Sequence, residues 1–482
     1  MSGLLAHEVV LAGGPRFTAH VDAEAYVVVP AETPADLAAY RRLRRDVFVD
    51  EQSMFDASDA DEVDEDPRTR VLVARAPDGE VLGGVRLHPS AHPAARAAAG
   101  GRDLGWWSGS RLVVARDART HLGVGAALVR AACASAEEAG ALRFDAVVQA
   151  QNEVLFRRLG WTVGDPATLH GRPHVRVEWP IGRVQRLVEA TKAPLGGLLA
   201  DLPGAGPGYV GDDGAPVPGS DLVAACDAIL PAMVERDPEW AGWCAVLVNV
   251  NDLLAMGAEP VGILDALGAR DASFARRVLR GLNDAARAWG VPVLGGHTQL
   301  GVPAALSVTA LGRRAPGLSA AVPGGGGRPG HRLRVTADLG GGWRLGYTGR
   351  QWDSSSHRAP AELRALSGVV PALAPTAAKD VSMAGLVGTT GMLAEASGCG
   401  AVIDVAAVPT PVGATRGDWL TCFPGFALVT AEEAPRPTTL LPEFLTSAPC
   451  GELVAGRGVG LRWPDGVVTE AVAGPVTGMG AA

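Results

Sequence analysis

Four short stations between residues 211 and 380 carry a set of carboxylates, glycines and amides. They are Gly211-Asp212-Asp213-Gly214, Asn251-Asp252 within NDLLAMGAEP, Gly295-Gly296-His297-Thr298, and Lys379-Asp380. Mg²⁺ binds carboxylate oxygens together with the phosphates that it bridges, and glycines let backbone amides approach a phosphate closely. We therefore expect a magnesium–phosphate site built from Asp212, Asp213 and Asp252, the last at a strand-to-helix corner, with Gly295 and Gly296 near the phosphate.

A glycine turn forms a second chemical pattern in the first third of the chain. It reads His121-Leu122-Gly123-Val124-Gly125, and it precedes Asn152 and the segment Phe156-Arg-Arg-Leu-Gly160-Trp161. Backbone N–H groups at such a turn and at a helix amino terminus attract an anion such as a pyrophosphate. The candidates for proton transfer nearby also suit packing or turn roles; they are Glu51, Asp64, His170 and His174.

Strand and helix patterns alternate around this glycine turn. The strand-like segments are 25–29, 71–75, 81–87, 111–115 and 144–149, and the second and third flank a Pro-Asp-Gly hairpin turn. Thr33 and Pro34 predict the start of a helix that runs towards Phe48, and 124–139 predicts a helix that Gly140 ends. We interpret the acid-rich run 56–66 as a solvated loop.

Length and turn-forming residues predict three domains. At 482 residues the chain is long enough for about three domains, and Pro/Gly-rich stretches at 193–219 and 323–330 are the best candidate breaks. The second stretch, PGGGGRPG, is typical of a flexible connector. We therefore predict domains at 1–182, 183–325 and 331–482.

Composition favours small-molecule chemistry in the cytoplasm. The net charge of −9 argues against a nucleic-acid partner. No run approaches a membrane-spanning length and no leader pattern begins the chain, so we expect no membrane association. The six cysteines show no metal-ligand or redox spacing. A Gly-Lys dipeptide is absent, which excludes a Walker-type phosphate loop.

The order of segments from residue 25 to 180 resembles the GNAT acetyltransferases. The resemblance implies a mixed sheet with flanking helices, and a groove for acetyl-CoA or another acyl-CoA. The implied groove residues are Leu122, Gly123, Val124, Gly125, Asn152 and Phe156. The sequence departs from the family at Thr120, where a basic or amide residue is usual, and at Phe156, which replaces a tyrosine and has no hydroxyl to protonate a thiolate.

Residues 185 to 480 resemble the aminoimidazole ribonucleotide (AIR) synthetase superfamily, which includes selenophosphate synthetase and thiamine-monophosphate kinase. The most specific segment is NDLLAMGAEP. The resemblance implies a β-rich half at 183–325 that dimerises and binds Mg²⁺-ATP, and an α/β half at 331–482 that closes over it. It also implies that Asn251 assists the metal ligands and that Gly295, Gly296 and Thr298 line the nucleotide. His297 suits either a phosphate contact or a packing role, and Ala384 departs from the family pattern.

The combination of both halves resembles a fusion family described as AIR synthase-related. We expect an ATP- and Mg²⁺-dependent phosphoryl-transfer or condensation enzyme fused to an acyl-CoA-dependent N-acyltransferase. Two alternatives are an active acetyltransferase with a nucleotide-sensing second module, and a non-catalytic scaffold. Lys192 and Lys379 are the two lysines among 43 basic residues. Both stand beside the acidic stations, so we add them to Asp252 and His297 as candidate catalytic residues.

Overall fold

The computed structural model of the chain describes residues 26–119, 123–202, 208–434 and 437–482. These residues form four β-sheets with helices around them: one sheet in the amino-terminal part, one in the middle and two in the carboxy-terminal part. The predicted fold class, a mixed sheet with flanking helices followed by a two-part α/β and α+β module, is confirmed.

The amino-terminal domain is a seven-stranded sheet covered by helices. Its strands are β1 (Val27–Pro30), β2 (Arg70–Arg75), β3 (Val81–Pro89), β4 (Trp106–Val114), β5 (Arg143–Gln149), β6 (Thr162–Leu169) and β7 (Arg172–Trp179). Its helices are α1 (Pro34–Arg45), α2 (Pro93–Ala99), α3 (Val124–Glu138) and α4 (Glu153–Arg158). The spatial order is β1-β2-β3-β4-β5-β7-β6, and β4 and β5 run parallel.

Local signals in this domain act as predicted. The Thr33 hydroxyl caps α1 by accepting a hydrogen bond from the Asp36 amide at 3.1 Å, and Pro34 supplies the first helical residue. Helix α3 begins directly after Gly123, whose φ of +61° suits glycine. The predicted hairpin is the antiparallel pair β2 and β3.

The acid-rich run is only in part the solvated loop that we expected: Asp56, Glu62 and Glu65 are exposed, but three of its aspartates form ion pairs with buried arginines. The side chains of Asp59 and Asp64 are 7% and 6% exposed, and both bind Arg44, whose side chain is 1% exposed, at 2.7 and 2.6 Å. Two further arginines from β3 and β4 bind the same group of acids. We call these residues the arginine–aspartate network: Arg44, Arg86, Arg111, Asp59, Asp61 and Asp64.

The middle domain is a five-stranded sheet with long helices on one face. Its elements are α5 (Arg183–Thr191), α6 (Leu195–Leu199), β8 (Ala215–Pro216), β9 (Leu222–Ile229), α7 (Pro231–Arg236), α8 (Pro238–Ala255), β10 (Ala258–Ala269), α9 (Ala272–Trp289), β11 (Val293–Leu300) and β12 (Ala305–Arg314). The order is β11-β10-β12-β9-β8. The face opposite the helices exposes apolar side chains such as Leu264 and Leu294.

Asp252 lies at a helix-to-strand corner, not at the strand-to-helix corner that we expected. It stands in the last turn of α8, and Gly257, with a φ of +67°, leads directly into β10. Nearly every residue of α8 is buried. The helix therefore lacks the polar face that would have revealed its periodicity in the sequence.

The carboxy-terminal domain contains a seven-stranded and a three-stranded sheet. Its strands are β13 (Arg332–Asp338), β14 (Gly342–Trp343), β15 (Gln351–Asp353), β16 (Ala377–Asp380), β17 (Gly400–Asp404), β18 (Phe423–Pro424), β19 (Ala427–Glu432), β20 (Leu445–Val454), β21 (Val459–Arg462) and β22 (Val468–Val472). Its helices are α10 (Pro360–Ala365), α11 (Val369–Leu373), α12 (Gly385–Ala396) and α13 (Arg416–Thr421). The orders are β16-β19-β13-β20-β17-β21-β22 and β14-β15-β18.

The glycine run at 323–330 is packed, so the expectation of a flexible connector was wrong. The Ala378 amide donates to the Pro323 carbonyl at 3.1 Å. A Cβ atom added at Gly326 would lie 1.9 Å from the Thr376 carbonyl oxygen, and one at Gly324 would lie 2.7 Å from the side chain of Lys379. The glycines are needed here because the chain passes against neighbouring backbone and side chains.

The amino-terminal domain packs against the carboxy-terminal domain through a charged aromatic contact. The Arg143 guanidinium carbon lies 3.9 Å from the centre of the Trp106 ring and 5.9 Å from that of Trp463. Arg143 also binds Asp465 at 2.9 Å. Helix α5 joins the core of the carboxy-terminal domain, so we propose that the residues directly after 182 belong structurally with 331–482.

Candidate functional sites

Three aspartates from distant parts of the sequence meet between the middle and carboxy-terminal domains. Asp213, Asp252 and Asp380 each offer a carboxylate oxygen, and these oxygens lie within 4.8 Å of one another. Asp213 comes from the loop before β8, Asp252 from the end of α8 and Asp380 from the end of β16. We call these three residues the aspartate cluster.

Burial and mutual repulsion make the aspartate cluster unfavourable without a cation. Burial raises the pKa of Asp252 well above its usual range, and the negative charge of Asp380 raises it further. Burial likewise raises the pKa of Asp380, and the negative charge of Asp213 raises it further. Hard oxygen ligands in a site short of positive charge are what Mg²⁺ requires. The residues present therefore fit a divalent cation.

Lys379 supports the cluster from a buried position. Its side chain is 1% exposed, and its ammonium lies 3.0 Å from Oδ1 of Asp212, 3.0 Å from Oδ1 of Asp213 and 3.1 Å from the Gly211 carbonyl oxygen. Burial would lower the pKa of Lys379, but the charges of Asp213 and Asp212 outweigh burial and raise it. The lysine therefore stays protonated and holds the aspartate loop against β16.

Asp212, expected to bind metal, has a different position from its neighbour. Its Oδ1 accepts hydrogen bonds from Lys379 and from the Asp213 amide, and its Oδ2 accepts one from the Gly324 amide at 2.6 Å. It does not belong to the group of three carboxylates within 4.8 Å. The third carboxylate of the group is that of Asp380, which the sequence analysis named only as part of the fourth station.

A fourth aspartate and the second lysine lie close to this cluster. The charge of Asp227 on β9 raises the pKa of both Asp252 and Asp380. The Lys192 ammonium, directly after α5, has the opposite effect on the pKa of Asp380. The structure therefore brings both lysines of the chain to one acidic site. No motif in the sequence pointed to Asp227.

The structure places the third station on an edge strand of the middle sheet. Gly295, Gly296, His297 and Thr298 lie on β11, all of whose residues are exposed. His297 is in register with Ala266 of β10. Strand β11 is three strands from β9, or about 14 Å at the usual spacing. Within one chain, the described residues show no contact between this station and the aspartate cluster.

Asn251 is buried beside Asp252 but binds a different part of the molecule. Its Nδ2 donates to the Gly425 carbonyl oxygen at 3.1 Å, and its Oδ1 has no hydrogen-bond partner within the described part of the chain. The hydrogen bond joins the end of α8 to the carboxy-terminal domain. Asn251 thereby positions the helix turn that carries Asp252.

The amino-terminal domain has a cavity where two parallel strands separate. Strands β4 and β5 pair only from Trp106 with Arg143 to Gly109 with Ala146, and both continue beyond this point. A cavity of about 290 Å³ opens there. Asn152 and Phe156 line this cavity, and Phe156 also packs edge-on against Trp161.

The glycine turn leads into the amino terminus of α3. Gly123 precedes the helix, Val124 is buried in the core at its first position and Gly125 follows. Among the residues that the structure describes, no side chain caps this terminus, and uncapped N–H groups at the start of a helix suit an anion. Leu122, expected to take part, lies outside the described residues.

Models of three protein families match separate parts of the chain. The acetyltransferase (GNAT) family matches 37–161, the N-terminal domain of AIR synthase related protein matches 211–314, and its C-terminal domain matches 328–464. An uncharacterized protein of Synechocystis sp. is 34% identical over 228 residues, which cover 46% of this chain and 69% of that protein. The chain belongs to the AIR synthase-related family. Its amino-terminal domain is a GNAT domain, so both resemblances are confirmed, and together these domains indicate a transferase or kinase.

Two further proteins are similar to the AIR synthase-related module. A thiamine-monophosphate kinase of Caulobacter vibrioides is 31% identical over 218 residues, which cover 42% of this chain and 60% of that protein. The structure of PurL from T. maritima complexed with ATP is 19% identical with a TM-score of 0.43, and the match covers 54% of this chain and 45% of that one. The chain thus spans less than half of that structure. No helix among the described residues has the length and apolar character needed to cross a membrane.

Proposed function

We propose that the AIR synthase-related module transfers a phosphoryl group from Mg²⁺-bound ATP to a small molecule, or uses ATP to drive a condensation. The aspartate cluster is the observation that carries this proposal. Three clustered carboxylates with raised pKa values need positive charge, and the Mg²⁺ ion that accompanies ATP would supply it. The kinase from Caulobacter vibrioides supports the same class of reaction.

In this proposal the residues of the chain mainly bind and orient. Asp213, Asp252 and Asp380 would hold Mg²⁺, which when bound neutralises phosphate charge and orients the transferred group. Lys379 binds the loop that carries Asp213. The lysine is itself positioned by Asp212, which accepts a hydrogen bond from the Gly324 amide. Lys192 adds a positive charge at the same site, which suits a phosphate.

The exposed face of the middle sheet supports a homodimer through 183–325. The apolar side chains of Leu264 and Leu294 are 40% and 56% exposed on this face, and exposed apolar patches commonly mark interfaces. Strand β11 lies at the sheet edge, where dimerisation would cover Gly295, Gly296, His297 and Thr298. In such a dimer these residues would contact a nucleotide at the interface with the partner subunit. We further propose a cytoplasmic location and no nucleic-acid partner.

We also propose that the GNAT domain transfers an acyl group from acetyl-CoA or another acyl-CoA to an amine. The amino terminus of α3 suits the pyrophosphate of the cofactor, with Gly123, Val124 and Gly125 around it. The cavity beside Asn152 and Phe156 gives space for the reacting groups. The alternative, a non-catalytic ligand-binding scaffold in both halves, rests on the departures at Thr120, Phe156 and Ala384, of which Phe156 cannot protonate the leaving thiolate.

Calorimetry on the full chain tests the ATP proposal. We expect ATP to bind in the presence of Mg²⁺ and to bind at least about 100-fold more weakly to Asp380→Asn, a difference of about 2.7 kcal/mol. The matched control is Asp284→Asn, which changes an exposed aspartate of α9 in the same domain. Equal Mg²⁺-ATP affinity for the wild type and Asp380→Asn would contradict the proposal.

A further inference from the structure

The cavity of the GNAT domain has mostly apolar walls. Phe48, Met54 and Phe55 line it from the segment after α1, and Leu112 and Val147 line it from the separating strands. Burying an apolar group against such walls is favourable, whereas a charged group would lose its hydration. The cavity therefore suits an acceptor that carries its reactive amine on an apolar aliphatic or aromatic body.

His174 is a buried histidine in the wall of this cavity. It lies on β7 in register with Gln149, is 5% exposed and lines the cavity. Its Nδ1 is 2.9 Å from the Arg172 carbonyl oxygen. Because a carbonyl only accepts, Nδ1 carries the hydrogen, and Nε2 of the neutral ring keeps its lone pair. Among the described residues, Nε2 of His174 has no hydrogen-bond partner.

Two other titratable groups of the cavity have their acceptor atoms occupied. Nε2 of His88 lies 3.2 Å from the Ser110 hydroxyl, and burial lowers the pKa of His88 to about 4. Asp145 accepts hydrogen bonds from the Trp106 indole at 2.7 Å and from the Ser108 hydroxyl at 2.6 Å. These contacts tie both side chains to the protein.

The remaining candidates for proton transfer are either held in ion pairs or exposed to solvent. Glu51 forms a two-fold ion pair with Arg119 at 2.5 and 2.7 Å. Asp64 is held within the arginine–aspartate network. His170 lines the cavity and lies 4.4 Å from Phe55, measured between ring centres, but it is exposed and no hydrogen bond orients its ring.

We propose that His174 accepts the proton of an apolar primary amine as that amine attacks an acyl-CoA thioester in this cavity. This inference rests on the proposed acyl transfer. The amine nitrogen forms a bond to the thioester carbon while its proton passes to Nε2 of His174. The C–S bond breaks, the CoA thiolate takes a proton from solvent and His174 returns its proton to solvent. One amine and one thioester give one amide and one thiol.

Thiol release from acetyl-CoA by the full chain tests the role of His174. The acceptor probes are benzylamine, phenethylamine and hexylamine, with water alone as the background. We expect His174→Gln to lower kcat by about 100-fold or more, the usual contribution of a general base, with an unchanged Kd for CoA. We expect His357→Gln, a change of an exposed histidine in the carboxy-terminal domain, to leave kcat unchanged.

A second variant separates catalysis from folding. In His174→Ala, added imidazole should restore part of the lost rate, which a purely structural role would not allow. Full activity of His174→Gln, or a loss confined to His170→Gln, would overturn the assignment while leaving the proposed acyl transfer intact. Absence of amine-dependent thiol release by the wild type with every probe would overturn acyl transfer to apolar amines, and with it this inference.

Discussion

The molecule contains two groups of clustered aspartates that differ in the positive charges around them. In the arginine–aspartate network, three carboxylates face three guanidinium groups. In the aspartate cluster, the one buried lysine, Lys379, forms an ion pair with Asp213 alone among the three carboxylates, and its other ion pair is with Asp212 outside the cluster. The first group is balanced by the protein itself, and the second needs a cation from outside.

The pKa values respond in opposite directions. Burial alone would raise the pKa of Asp61 and Asp64, but their hydrogen bonds to Arg86 and Arg44 and the charges of these arginines outweigh burial and lower it. In the aspartate cluster burial and repulsion prevail, and all three pKa values rise. Acidic side chains dense in sequence are thus structural here, and acidic side chains far apart in sequence form the candidate metal site.

The largest contrast should appear in the stability of matched variants. Asp64→Asn leaves Arg44 and Arg86 short of a buried partner, so we expect the free energy of unfolding to fall by about 3–5 kcal/mol. Asp252→Asn removes a charge from a crowded site and should stabilise the metal-free protein by on the order of 1 kcal/mol. Denaturant unfolding in the absence of Mg²⁺ measures both changes.

The pH dependence of the first effect has a defined sign. The pKa of Asp64 is lowered in the folded chain, so its contribution is present above the unfolded value of about 3.9 and is lost as pH falls through the folded value. The stability difference between the wild type and Asp64→Asn should therefore shrink below about pH 4. A difference that grew on acidification would contradict the balanced network.

A smaller effect should distinguish the two lysines at the aspartate cluster. Lys379 is 1% exposed and packs against the position of Gly324, so the larger guanidinium of Lys379→Arg should cost about 1–3 kcal/mol of stability and weaken Mg²⁺-ATP binding. Lys192 is only partly buried, and Lys192→Arg keeps its charge. We expect calorimetry to give Lys192→Arg nearly wild-type Mg²⁺-ATP affinity, and equal losses in both variants would break the distinction.

The sequence predicted the elements whose periodicity is clear. The cap at Thr33, the helix after Gly123 and the β2–β3 hairpin all follow from local patterns. Helix α8 escaped this reasoning because it is buried on all sides. Part of the acid-rich run was misinterpreted because its partner arginines lie on other elements, with Arg86 and Arg111 far along the chain.

The sequence predicted the stations that contribute to the aspartate cluster, but not which residues of each station form it. The two adjacent aspartates differ in their backbone partners: the Gly324 amide, 112 residues away, donates to Asp212, and the Asp380 amide, 167 residues away, donates to Asp213. The exclusion of β11 from that cluster follows from its place at the sheet edge. Tertiary contacts of this kind leave no local signal in a single sequence.

Anomalous diffraction from crystals soaked in Mn²⁺ tests the central claim most directly, since Mn²⁺ takes the same oxygen ligands as Mg²⁺. The account predicts an anomalous peak bound by the carboxylates of Asp213, Asp252 and Asp380, and loss of that peak in Asp380→Asn. It also predicts no peak at the arginine–aspartate network. An empty aspartate cluster in Mn²⁺-soaked crystals, or a peak that persists in Asp380→Asn, would contradict it.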